Sequence, residues 1–98
     1  MTVYAELLKM ALAEQHEPDR SVDRLVSEVL TRREALRSHG DAASRLAVAL
    51  AYDSVLVRLC DALGVAHELT GEQAGPQARR KAERALSEVL PTLAVVAR

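Results

Sequence analysis

From Asp41 to Leu63 the apolar positions are spread around nearly the whole circumference of one helical projection. At about 100° per residue, Leu46, Leu50, Val57 and Cys60 share one side, Leu56, Leu59 and Leu63 continue the arc, and Val48 and Val55 widen it. Ser54, Arg58 and Asp61 form the polar strip. A helix apolar nearly all round must be surrounded by other protein. This segment is therefore expected to be the central helix of a small bundle or half of a subunit interface. Asp53 lies in the middle of the arc.

Three further helices follow from pattern and punctuation. Helix 1 is expected from about Val3 to Gln15, with Thr2 as N-cap and Val3, Tyr4, Leu7, Leu8, Met10, Ala11 and Leu12 on one face. Glu17, Pro18 and Asp19 break that pattern, and either Asp19 or Ser21 can cap helix 2, which continues to about Ser38. Its stripe is Val22, Leu25, Val26, Val29, Leu30 and Leu36, with Arg33 at its centre. His39, Gly40 and Asp41 are a stop and restart: Gly40 suits the end of one helix and Asp41 the cap of the next. Helix 3 should end at Gly64.

The connection Val65 to Gly75 offers two possible starts for helix 4. Thr70 to Gln73 has capping-box spacing, while Gly75 and Pro76 suit a helix whose first turn begins at proline. The second is taken as the main start and the first as a short extra turn. Helix 4 then turns Ala78, Ala82, Ala85, Leu86, Val89, Leu90 and Leu93 inward, and Pro91 should kink or end it near Leu90. The expected fold class is all-α: a single compact four-helix domain over residues 1–98, mostly antiparallel, with helix 3 central.

Composition narrows the function classes. Thirteen basic and fourteen acidic residues leave no global field to attract nucleic acid or an anionic membrane. Two tyrosines are the whole aromatic complement, so the core is built from Leu, Val and Ala. One cysteine makes no intrachain disulfide, and nothing at the N-terminus resembles a secretory leader, which points to a reducing, cytoplasmic setting. Arg45, Asp53, Arg58 and Asp61 argue against helix 3 as a membrane span.

Candidate chemistry is sparse. His16 with Glu17 and His67 with Glu68 look like matching pairs, yet neither has the i, i+3 or i, i+4 spacing that offers two ligands to one ion; His39 falls at the other pole. Cys60 has apolar neighbours and nothing nearby to lower its pKa. No phosphate-cradling glycine loop and no nucleophile elbow is present. No enzyme activity, cofactor or metal is expected.

Arg79, Arg80, Lys81 and Arg84 are candidate phosphate contacts, joined by Arg32, Arg33 and Arg37. The plainer alternative is a solvated face. Leu59 to Ala66 resembles the first helix and turn of bacterial helix-turn-helix regulators, which would imply a recognition helix after a short turn. Gly71, Gly75 and Pro76 interrupt that stretch, and Glu68 and Glu72 would repel phosphates, so no family is assigned.

The favoured expectation is a non-catalytic protein-interaction module, homodimeric through helix 3, with Val48, Val55 and Leu59 as the exposed patch. Another protein as partner, a small nucleic-acid-binding regulator and a bundle holding a small apolar ligand are the alternatives. Asp53 on a dry face needs a partner. Arg33 is the first candidate by charge, although about six residues of offset, or ~9 Å at the helical rise, separate them within one hairpin. The Tyr4 hydroxyl and Arg33 of a second copy are the other candidates.

Overall fold

The computed structural model describes residues 3–14, 21–38, 40–72 and 74–93. Within them the order is α1 (Val3–Glu14), α2 (Val22–Ser38), α3 (Ala42–Leu63) and α4 (Pro76–Val89). Thr2, Asp19, His16, His39, Gln73 and Val96 lie outside the described residues.

Each helix end has a local cause. The Arg24 N–H donates to Ser21 Oγ at 3.3 Å, so Ser21 caps α2. Asp41, in extended backbone, accepts the Ser44 N–H at 2.9 Å and caps α3. At the other end Gly64 takes the left-handed conformation at φ 69°. Its N–H reaches Asp61 O at 3.3 Å and that of Val65 reaches Cys60 O at 2.8 Å, the paired bonds of a Schellman stop. Gly75, at φ 135°, precedes Pro76 in the first turn of α4, as the Gly-Pro spacing predicts. The Thr70 region forms turns, with the Gly71 N–H on Glu68 O and the Ala74 N–H on Gly71 O.

Helix α3 is central, touching α1, α2 and α4. It packs most extensively on α2, its antiparallel hairpin partner across Gly40 and Asp41. Tyr52 through Val57, Leu59 and Cys60 are all buried, so the apolar circumference reads correctly as enclosure. Ser54, expected on the polar strip, is buried too; its hydroxyl donates to the Leu50 carbonyl at 2.7 Å and is satisfied within its own helix. Around α3 lie Ala5 and Leu8 from α1, Leu25 and Val29 from α2, and Ala78, Ala82 and Leu86 from α4. Among the described residues, no helix is long and apolar enough to cross a membrane.

The structure corrects the inward lists at their edges. Val3 and Met10 of α1 are 77% and 60% exposed, and Val89 of α4 is 51% exposed. Helical spacing alone spreads a face too widely: only the residues around Ala5, Leu8 and Leu12 point at α3. Conversely Leu69, assigned no role in the connection, is 1% exposed and plugs the core beneath the loop. Its N–H donates to His67 Nδ1 at 3.2 Å, which leaves the ring proton on Nε2, facing Asp61 Oδ1 at 3.4 Å. His67 is thereby a tether of the loop.

Helix α4 ends at Val89, and Leu90 leaves in extended conformation. Pro91 begins a short 3₁₀ turn that returns Leu93 to full burial. Truncation after Leu90 is expected to cost about 1.5–3 kcal/mol, the value of burying one Leu side chain. A denaturant midpoint equal to that of the intact chain would contradict it.

Candidate functional site

The polar chemistry of the domain gathers at the middle of α3. Tyr52 and Asp53 are adjacent there and point to different sides, being about 100° apart on the helix. Arg79 and Glu83 are one turn apart on α4, and each meets one of them.

Asp53 is fully buried and fully engaged. Arg79 Nε donates to its Oδ1 at 2.7 Å and Nη2 to its Oδ2 at 2.9 Å, the fork geometry by which guanidinium and carboxylate match in shape. The Tyr4 hydroxyl of α1 donates to the same Oδ2, and Arg79 Nη2 reaches the Tyr4 oxygen at 3.5 Å. One carboxylate thus joins three helices. Burial opposes the Arg79 charge, yet the bonds and attraction from Asp53, with Tyr4 adding to them, hold its pKa above the ordinary arginine value. Burial, then the neighbouring Asp53 charge, pushes the Tyr4 phenol up. Both therefore stay in their donor forms at any physiological pH.

The second half is less balanced. The Tyr52 hydroxyl, fully buried, donates to Glu83 Oε2, and Glu83 itself is 8% exposed. Glu83 forms no ion pair among the described residues. Burial raises its pKa; the Tyr52 bond and the more distant charges of Arg33 and Arg79 oppose that shift, while Asp53 adds to it. Burial and the bond to Glu83 likewise raise Tyr52.

Asp53 does find the Tyr4 hydroxyl, but its cation is Arg79 in place of Arg33. The register of the α2–α3 hairpin keeps Arg33 on the neighbouring pair, where its charge is felt by Glu83 and Tyr52. A signal for Arg79 does exist in the sequence. Taking Ala78 as zero, Leu86 falls at about 80°, Arg79 at about 100°, Leu90 at about 120° and Glu83 at about 140°, so the cation lies inside the apolar stripe.

The remaining candidate residues are dispersed. Val55 and Leu59 are 4% and 0% exposed inside one chain, so the patch expected from them does not exist at the surface; Val48 is half-buried. The four-residue basic run is split: Arg79 turns inward, Lys81 pairs with Glu68 at 3.4 Å, and Arg80 and Arg84 remain exposed. Cys60 is fully buried, and burial with the Asp61 charge pushes its thiol up to about 11, so it stays protonated.

Two surface hollows among the described residues lie apart from this network. One of about 300 Å³ runs along α2 beside Arg24, Ser27, Glu28, Thr31 and Arg32; another of about 230 Å³ is lined by Glu72, Ala74, Gly75, Pro76 and Gln77. Among the described residues no buried side-chain nitrogen or oxygen lacks a partner, and no cluster of three metal-ligating side chains forms. The arrangement is self-satisfied: its donors are spent on its acceptors. Its chemical capacity is to fix helix register and to hold protons. Compared with protein families, with curated proteins and with solved structures, the chain finds no match in any of the three.

Proposed function

We propose that the chain is a non-catalytic helical interaction module that self-associates through the first half of α3. The observation that carries this is the difference between the two halves of that helix. Below Asp53 the face containing Val57 and Cys60 is covered. Above it the same face continues as Leu50, Ala49, Leu46 and Ala42, and there Leu46 is 46% exposed, Ala42 is exposed, and Ala49 and Leu50 are half-buried. Arg45 is the one charged residue between Ala42 and Ala51. An alanine-rich, nearly uncharged helix face lets a second helix approach closely, and a twofold pair needs only one such patch on each copy. The buried Asp53–Arg79–Tyr4 unit supports a scaffold role, since it locks three helices and leaves no group aimed at a substrate. A reducing cytosol suits the lone buried Cys60.

Sedimentation over a concentration series tests this. The expected mass rises toward that of a dimer, while Leu46→Glu, at an exposed position, gives a folded monomer. An unmodified chain that stays monomeric at high micromolar concentration sinks the reading. Salt separates it from nucleic-acid binding through Arg80 and Arg84: phosphate contacts weaken steeply as salt rises and apolar association does not.

A further inference from the structure

Among the described residues, Glu83 is the one buried charged side chain that the register-fixing unit does not use. Its surroundings are fixed by every helix packed near it. Tyr52 of α3 donates to Oε2; Asp53 of α3 adds a negative charge; Arg79, one turn earlier on α4, is already forked onto Asp53; Arg33 of α2 acts on it only at longer range; and Tyr4 of α1 is committed to Asp53. Oε1 takes part in no hydrogen bond among the described residues, while no fully enclosed polar atom lacks a partner. Oε1 therefore keeps the group's small contact with solvent, which is the route a proton needs. A carboxylate without an ion pair, at 8% exposure, is where burial and neutralisation meet.

We propose that Glu83 binds a solvent proton at Oε1 inside the folded domain, and that this proton tightens the docking of α4 on α3. The bonds around it are kept: Tyr52 still donates to Oε2, and Arg79 stays forked onto Asp53. In the deprotonated form two carboxylates, those of Asp53 and Glu83, share one bonded guanidinium, and the excess negative charge works against holding α4 in place. In the protonated form the charges at the α3–α4 contact balance. The inference stands apart from self-association, because it concerns a contact within one chain.

Carbon-13 NMR of the Glu83 carboxyl in the intact chain, with hydrogen exchange of the α4 amides, tests it. The carboxyl is expected to titrate above the ordinary glutamate range. Protection of the Ala82 to Leu86 amides, corrected for intrinsic exchange, should fall as pH rises through that midpoint, by at most about tenfold per pH unit, the slope of one linked proton. In Glu83→Gln that dependence should disappear. A second variant keeps the idea exposed if Gln prevents folding: Tyr52→Phe removes the bond that favours the charged carboxylate, so the midpoint should move further up. An ordinary midpoint, an unchanged pH dependence in Glu83→Gln, or a midpoint in Tyr52→Phe that stays or falls would each overturn the proposal.

Discussion

Asp53→Ala should lower the free energy of unfolding by about 3–5 kcal/mol, the cost of removing one member of a buried ion pair. Arg79 would then be left mostly buried, with two donors that faced the carboxylate and no acceptor in their place. Tyr4 would lose the same acceptor. The penalty comes chiefly from the stranded charge, so removing both charges together should be far milder. Asp53→Leu with Arg79→Met is expected to recover most of the loss, since an apolar pair of similar volume often matches a buried ion pair. Asp53→Leu with Arg33→Met should not. Equilibrium denaturation of the two double variants tells the partners apart, and equal recovery from both would mean that Arg79 is not the cation that matters. Because Tyr4, Asp53 and Arg79 come from α1, α3 and α4, Asp53→Ala should also reduce the cooperativity of unfolding.

Val55→Glu with Leu59→Glu should abolish the fold. On the sequence alone the same pair reads as a means of dissolving a dimer while leaving each chain intact. With both residues packed inside one chain, each substitution forfeits about 1.5–3 kcal/mol of apolar burial and adds a carboxylate with no partner in the dry core. The sum reaches the order of the whole 5–15 kcal/mol by which small domains are stable. Far-ultraviolet circular dichroism should show loss of helix, in contrast to Leu46→Glu, which should keep it. A folded double variant would mean that α3 is less enclosed than its burial implies.

Glu83 gives the domain a dependence on pH whose sign follows from its environment. Its pKa is raised in the folded state by burial. The folded chain therefore holds this proton more tightly than the unfolded one, and the associated stability is fully present below the unfolded value, ~4.3. It is lost as pH rises through the folded midpoint. At neutral pH, Glu83→Gln should accordingly raise the melting temperature relative to the unmodified chain, and a decrease there would contradict this assignment.

The helices were legible because their signals are local. Asp41, Gly64 and Gly75 with Pro76 satisfy or forgo backbone hydrogen bonds within a few residues of themselves, so a short window of sequence determines where α3 stops and both α3 and α4 start. The centrality of α3 was equally plain, since apolar residues on all sides require neighbours on all sides. Even the demand that Asp53 have a partner follows from burial alone. Which helix covers which arc is a different kind of fact. The sequence contains two plausible cations for Asp53, and the choice of Arg79 depends on where α4 lands after the turns between Gly64 and Pro76. The same placement drives Glu83 into the core with Tyr52 as its donor, and the packing of α3 among its neighbours encloses Val55 and Leu59 and leaves Leu46 open. Periodicity assigns a residue to a face; only the packing of that face against another decides whether it is core, surface or site, because burial belongs to pairs of elements and not to one helix.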